Sequence, residues 1–140
     1  MRLLVTGAAG FIGSNFLEHI LSQSSSNLTE VRVIDALTYS GTEANFVGLD
    51  RSAFQFIKGD IRDENIVDRA TTGIDAIIHF AAESHVDRSI DSSRIFVETN
   101  VVGTENLLSS AVRNDVNTLD RKSTRLNSSH VSESRMPSSA

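Results

Sequence analysis

The chain has 140 residues, of which 39% are hydrophobic and 22% are charged, as is ordinary for a single globular domain. It contains no cysteine, which excludes disulfides and cysteine-ligated metal sites. The formal net charge of −5 disfavours nucleic-acid binding, and no apolar run approaches the ~20 residues that cross a bilayer. We therefore expect a cytoplasmic protein without nucleic-acid or membrane partners.

The chain alternates short apolar segments with helical patterns. Strand-like segments cover 2–6, 31–35, 53–58 and 75–81, and helical patterns cover about 11–22, 63–71 and about 92–113. The apolar face of the first helix is expected to contain Phe11, Ile12, Phe16, Leu17, Ile20 and Leu21. Strands separated by helices pair in parallel through right-handed crossovers. The pattern predicts an α/β, Rossmann-type doubly wound sheet that is incomplete, with its first four strands in the order 3-2-1-4.

Three glycines, in the stretch VTGAAGFIGS, follow the first predicted strand and open the first predicted helix. In this context Gly7 allows a tight turn, Gly10 lets a pyrophosphate approach the backbone, and Gly13 lets the helix pack closely on the sheet. The amide groups of the helix N-terminus then face the phosphates. The G-x-x-G-x-x-G spacing differs from that of ordinary dehydrogenases, and glycines alone are also compatible with a plain strand-to-helix turn.

Acidic residues follow the second and third predicted strands. Asp35 lies 22 residues after Gly13, close to the ~20-residue offset of a ribose-binding carboxylate. Such a carboxylate accepts hydrogen bonds from both ribose hydroxyls and repels a 2′-phosphate, which predicts NAD rather than NADP; the alternative is a solvated aspartate at a strand end. Asp60 either accepts from the adenine amino group or caps the next helix.

Five stretches together resemble one enzyme family: VTGAAGFIG, VIDALTYSG, GDIRD, FAAESHVDRSI and ETNVVGTENLL. They resemble the extended short-chain dehydrogenase/reductases and, more narrowly, the dTDP-glucose 4,6-dehydratases, over residues 1 to about 115. One departure is Thr42, which stands where the family more usually has asparagine.

The resemblance implies a role for each matching residue. In addition to the glycines, Phe11 and Ile12 would contact the pyrophosphate through their backbones. The adenosine half of NAD would be bound at the ribose by Asp35, Ala36, Leu37 and Thr38, and at the adenine by Asp60 and Ile61. The nicotinamide half would be bordered by Phe80, Ala81, Ala82, Glu83, Ser84 and Thr99, and Ser84 would also lie near the hexose of the substrate. His85 is expected to order its loop rather than to act as an acid or base, and His79 to be a satisfied histidine at a strand end.

The resemblance also implies a homodimeric enzyme that uses NAD to dehydrate dTDP-glucose to the 4-keto-6-deoxy sugar. The family's catalytic Tyr-x-x-x-Lys and Thr-Asp-Glu are missing here: Tyr39 is the only tyrosine, Glu43 stands four residues after it, and the lysines are Lys58 and Lys122. No catalytic and no metal-binding residue is therefore expected in this chain, and the chain alone is expected to be inactive. The alternatives are another sugar-nucleotide epimerase or decarboxylase, or a dinucleotide-binding module without chemistry.

The end of the chain has a different composition, with seven serines in residues 120–140. DVNTL can begin a fifth strand after Asn114, but DRKSTRLNSSH is not expected to continue it. Back-translated, DRKSTRLNSSH and ESRMPSSA both match, in one frame, an adapter oligonucleotide used for short-read sequencing. We therefore expect a truncated NAD-binding domain at 1–119 and a non-native disordered tail at 120–140; the alternative is a genuine serine-rich disordered tail.

Overall fold

The computed structural model describes residues 1–23, 27–84 and 93–121. Strands and helices alternate as the sequence predicts. In chain order the elements are β1 (Arg2–Thr6), α1 (Phe11–Ser22), β2 (Glu30–Asp35), a 3-10 turn (Glu43–Phe46), β3 (Gln55–Lys58), α2 (Glu64–Thr71), β4 (Ala76–His79), α3 (Ser93–Val97), a π-helical turn (Glu98–Val102), α4 (Gly103–Arg113) and β5 (Thr118–Arg121). Among the helices in these ranges, none is both long and apolar enough to cross a bilayer.

The strands form one parallel sheet in the order β3-β2-β1-β4-β5. The apolar strand β1 lies at its centre, where Leu4 is aligned with Arg32 of β2 and Ile77 of β4. This order confirms the predicted Rossmann-type sheet. Because all strands run in the same direction, the loops after β1, β2 and β4 meet at one edge, which is where ligands bind in such sheets.

The core lies on both faces of the sheet. Leu3 and Val5 pack on one face with Leu17 of α1, whereas Leu4 packs on the other face with Ala70 of α2. Successive residues of a strand point to opposite faces, so a continuous apolar run is required when both faces are covered. The chain therefore forms three layers, with the sheet in the middle.

The second helical layer is joined by a polar cluster between α2 and α4. The Ser110 hydroxyl is fully buried, contacts Thr71 Oγ1 and donates to Asp68 Oδ1 at 2.9 Å. Arg113 and Asn114 also donate to Asp68. These hydrogen bonds, that of Ser110 first, lower the pKa of the Asp68 carboxyl below its ordinary value. The cluster fixes α4 against α2.

The prediction for the first turn of α1 was wrong in one respect. Phe11 and Ile12 are 81% and 44% exposed and do not join the core. The buried face of this turn instead contains Gly13, Ser14 and, one turn later, Leu17. The reason is the close approach of α1 to the glycine loop, which leaves no room for a bulky side chain on that face.

The prediction of only four strands was also wrong, because β5 is a fifth strand of the sheet. Thr118 to Arg121 align with Ala76 to His79 of β4, so Asp120 and Arg121 continue the strand. An edge strand needs backbone pairing on one side only, and its polar side chains remain exposed to water. The expectation of a disordered tail for 122–140 lies outside the described residues.

Candidate functional site

An open cleft of about 650 Å³, counted with the solvent space at its mouth, lies at the carboxyl edge of the sheet. The loops after β1, β2, β3 and β4 and the π-helical turn form its walls. The predicted residues that line it are Gly7, Gly10, Asp35, Ala36, Thr38, Asp60, Ile61, Phe80, Ala81, Ala82, Glu83 and Thr99. The cleft therefore brings together residues from five separate segments of the chain.

Five predicted residues lie outside this lining: Phe11, Ile12, Gly13, Leu37 and Ser84. Ser84 is exposed, and His85 lies outside the described residues. Leu37 has a left-handed φ of 53°, and its amide supports Asp35 rather than facing the cleft. The sequence reasoning in turn missed the lining residues Ile34, Ser40, Gly59, Arg62 and Ile95.

The three glycines meet different needs. Gly7 has a φ of +68°, and a Cβ on it would lie 2.5 Å from the Ala81 backbone nitrogen. A Cβ on Gly13 would collide with the Gly7 carbonyl oxygen. Gly10 has an ordinary φ of −77°, and a Cβ there would meet nothing nearer than the Gly7 carbonyl oxygen at 3.4 Å. The fold thus requires Gly7 and Gly13, whereas the glycine at position 10 keeps the cleft open.

The N-terminus of α1 faces the cleft through the glycine loop. Gly10 is the N-cap residue and has no side chain to satisfy the amides of the first turn. The first helical hydrogen bond runs from the Ser14 amide to the Gly10 carbonyl at 2.9 Å. Residues 11–14 include no acidic residue that would repel an anion. These amides and the positive end of the helix dipole are suited to a phosphate group.

Asp35 is fixed between two loops at the end of β2. Its Oδ2 accepts from the Ala9 amide at 2.9 Å and its Oδ1 from the Leu37 amide at 2.8 Å. Only 9% of the residue is exposed, so the alternative of a solvated strand-end aspartate is wrong. Each carboxylate oxygen has a further lone pair, so the side chain can still accept from a ligand in the cleft.

Asp60 does not cap the helix that follows it. The N-cap of α2 is Asp63, which accepts from two amides of the first turn. The Asp60 carboxylate instead binds Arg62, whose Nη2 and Nε lie 2.7 and 3.0 Å from Oδ2. Burial raises the pKa of Asp60, but the hydrogen bonds and charge of Arg62 outweigh it and lower the pKa overall. Arg62 also reaches Glu98 at 3.3 Å, so it links two walls of the cleft.

The wall after β4 rests on buried hydrogen bonds. The Thr104 hydroxyl donates to the Asn100 carbonyl at 2.8 Å, so His79 Nε2, 3.1 Å away, must donate to Thr104. His79 Nδ1 then accepts from Thr6 Oγ1 at 2.6 Å, and that oxygen accepts from the Ala81 amide at 3.3 Å. Burial, and then the charge of Arg121, lowers the pKa of His79 to about 4. The predicted role of a satisfied strand-end histidine is confirmed.

The π-helical turn holds the next part of this wall. The Asn100 side chain donates to the Glu83 carbonyl at 2.9 Å and accepts from the Glu83 amide at 2.8 Å. This pair of bonds fixes the backbone at Glu83. The Glu83 carboxylate in turn accepts from Tyr39 Oη at 2.9 Å, across the mouth of the cleft. Turns of this kind are often found at functional sites, and Thr99 of the same turn lines the cleft.

Comparisons with known proteins agree with this geometry. A dTDP-glucose 4,6-dehydratase of Streptomyces niveus is 51% identical over 116 residues, which are 81% of this chain and 34% of that protein. The low-salt glycan biosynthesis protein Agl12 of Haloferax volcanii is 49% identical over 117 residues, 83% of this chain and 37% of that protein. The chain thus spans little more than a third of the length of these relatives.

A solved structure shows the same likeness in three dimensions. The dTDP-glucose 4,6-dehydratase DesIV of Streptomyces venezuelae, crystallised with NAD and TYD bound, has a TM-score of 0.77 and 48% identity, covering 85% of this chain and 38% of that one. The resemblance to dTDP-glucose 4,6-dehydratases is confirmed. The profile of a family described as GDP-mannose 4,6 dehydratase matches residues 4–134. The chain therefore belongs to the GDP-mannose 4,6 dehydratase family.

Proposed function

We propose that this chain is the NAD-binding part of an enzyme that converts dTDP-glucose to dTDP-4-keto-6-deoxyglucose. The observation that carries the proposal is the placement of Asp35, whose carboxylate lines the cleft beside the glycine loop and is held by the Ala9 amide. The dehydratase relatives support the choice of substrate. Because the chain covers only part of their length, the activity belongs to the longer protein.

The residues of the cleft fit NAD. Gly10 leaves space for the pyrophosphate, and the first-turn amides of α1 would bind it. Asp35 would accept from the ribose hydroxyls, and its buried charge would exclude a 2′-phosphate. Phe80 and Thr99 would border the nicotinamide half. When bound, NAD would supply the oxidation at C4 of the sugar and the reduction at C6 that follows the loss of water.

Proton transfer would come from elsewhere in the longer protein. Within the described residues, Tyr39 donates to Glu83, and Lys58 ends the edge strand β3, so neither forms a tyrosine–lysine pair. The tasks left to this chain are to bind the cofactor, to orient it and to shield it from water. We expect no turnover by the 140 residues alone.

Two measurements test the proposal. Titration of the chain with NAD and with NADP should show saturable binding with a clear preference for NAD. The full-length protein that contains this chain should convert dTDP-glucose to the 4-keto product, and UDP-glucose serves as the control for a 4-epimerase. Binding of NAD without any 4-keto product would refute the dehydratase assignment. A preference for NADP would refute the role given to Asp35.

We further propose that the enzyme is a homodimer. The continuous segment of α3, the π-helical turn and α4 exposes four apolar side chains, those of Val97, Val101, Leu108 and Val112, of which 49% to 80% is accessible. Exposed apolar side chains that cluster on one element mark interaction surfaces. Light scattering should show that Val101→Glu weakens self-association of the full-length protein. Val47→Glu, on another exposed valine, is the control and should leave it unchanged.

The proposal includes a boundary at residue 119 between the NAD-binding domain and a non-native tail, and a cytoplasmic location. β5 passes this boundary by two residues, and it does so through backbone pairing, which adapter-derived residues can also provide. Reading the source DNA tests the boundary, since codons that differ from the adapter would refute it. The 140 residues contain no cysteine and therefore no disulfide that needs an oxidising compartment, and cell fractionation of the full-length protein tests the location.

A further inference from the structure

We propose that Tyr39 and Glu83 form a clasp over the pyrophosphate of the bound dinucleotide and slow its release. This inference rests on the proposed function, because it takes NAD as the ligand of the cleft. It adds a function that the NAD-binding motifs do not assign to either side chain. The clasp is the hydrogen bond from Tyr39 Oη to Glu83 Oε2, which is 2.9 Å long.

The topology of the sheet determines what this bond spans. Tyr39 belongs to the loop after β2, and Glu83 to the loop after β4. β1 lies between these two strands, so the bond crosses above the glycine loop that follows β1. Two strand spacings separate β2 from β4 by roughly 10 Å. A bridge across this gap passes over the place where the glycine loop would bind a pyrophosphate.

The Tyr39 end is anchored by its own loop. The Gly41 amide donates to the Thr38 carbonyl at 3.2 Å, which closes a tight turn with Tyr39 at its corner. The Asn45 side chain and the Thr42 amide both donate to the Ala9 carbonyl, at 2.7 and 3.2 Å. The loop that carries Tyr39 is therefore fixed directly to the glycine loop.

The Glu83 end is anchored to the π-helical turn. Asn100 holds both the amide and the carbonyl of Glu83. With both backbones fixed, the bridge opens through a change of side-chain rotamer, which is a local motion. The hydrogen bond from Tyr39 also restrains the Glu83 carboxylate, so that its charge is less free to turn toward the phosphates.

Slow release suits the proposed reaction. The cofactor is returned to its starting state within each turnover, so an enzyme of this kind gains nothing by releasing it. A bond that must open before the dinucleotide leaves lowers the dissociation rate by the ratio of closed to open states. This hydrogen bond remains exposed to water, so it has the strength of an ordinary rather than a charge-assisted bond, and the ratio is roughly 3 to 10.

The test is the dissociation rate of a fluorescent NAD analogue, etheno-NAD, from the 140-residue chain, chased with excess NAD in a stopped-flow instrument. Tyr39→Phe removes the hydroxyl and keeps the ring, and Glu83→Ala removes the acceptor. Each should speed dissociation roughly 3- to 10-fold. The double variant should be no faster than either single one, because both remove the same bond. Glu43→Gln removes the exposed ion pair with Arg51 in the same loop and should change nothing.

Three outcomes would overturn the clasp. The first is a dissociation rate for Tyr39→Phe that equals that of the unaltered chain. The second is single-variant effects that multiply in the double variant, which would mean that each side chain contacts the ligand independently. The third is no saturable binding by the unaltered chain, which would refute the proposed function and the clasp together. Circular dichroism checks that each variant unfolds at the same temperature as the unaltered chain when no dinucleotide is present.

Discussion

Replacing Gly10 by alanine separates the needs of the fold from those of the ligand. The backbone at Gly10, with φ −77° and ψ 170°, is accessible to alanine, and the new methyl would meet no atom closer than 3.4 Å. Replacing glycine by alanine stabilises the folded chain by about 0.4–1 kcal/mol, because it reduces the conformational entropy of the unfolded chain. Alanine is, however, a poorer N-cap than glycine by a similar amount. The free energy of unfolding should therefore change by less than about 1 kcal/mol.

NAD binding by Gly10→Ala should instead fall sharply. The methyl lies in the cleft, where it would push the pyrophosphate away from the first-turn amides of α1. Loss of one hydrogen bond to a charged group costs about 1.5–3 kcal/mol, which is about 10- to 150-fold in affinity. Calorimetric titration with NAD measures this loss, and urea denaturation measures the stability.

Gly13→Ala is the matched control, because its Cβ would collide with the Gly7 backbone rather than enter the cleft. This variant should lose about 1–3 kcal/mol of stability through overpacking. The reasoning fails if Gly10→Ala is folded and binds NAD as tightly as the unaltered chain. It also fails if Gly13→Ala is as stable as the unaltered chain.

Three further changes address other parts of the molecule. Asp35→Asn should weaken NAD binding about 10-fold and reduce the preference for NAD over NADP, because the charge is lost and the amide nitrogen faces a backbone donor; an unchanged preference in paired titrations would contradict this. Folding lowers the pKa of His79 from its ordinary 6.5 to about 4, because the neutral ring is buried. The contribution of His79 to stability is therefore complete above pH 6.5 and is lost as the pH falls to about 4. The loss is about 3 kcal/mol. Urea denaturation at several pH values should show that the stability of His79→Gln depends less steeply on pH than that of the unaltered chain, and equal slopes would contradict the role of His79. Ser110→Ala should cost about 1–2 kcal/mol, because its buried hydroxyl contacts α2 through two side chains; Ser109→Ala should change the melting temperature little, and equal effects of the two variants would speak against the polar cluster.

Features that depend on local backbone chemistry could be predicted from the sequence. β1 follows from its unbroken apolar run, and the glycine loop follows from residues that adopt turns without steric cost. The selection of Asp35 as a cleft residue follows from its offset from Gly13 and from its place at a strand end. Each of these signals lies within a short window of sequence, which is why each was recognisable.

Features that depend on distant partners could not be predicted in this way. Periodicity placed Phe11 on an apolar face but could not show that the glycine loop contacts the face with Gly13 instead. Asn100 was missed because its partner is 17 residues away and the π-helical turn changes the helical register. The ion pair of Asp60 with Arg62 could have been predicted, because Arg62 stands only two residues later in the sequence.

The central position of β1 sets an order on how the chain can fold as it leaves the ribosome. β1 is made first and can pair with β2 while β4 is still inside the ribosome. During that interval its other edge has unpaired backbone N–H and C=O groups, and an unpaired edge of this kind is prone to aggregate or to be bound by a chaperone. The dinucleotide needs walls from both sides of β1, so it cannot protect this early intermediate. NAD could stabilise the chain only after β4 and the loop at Glu83 have been synthesised and have docked.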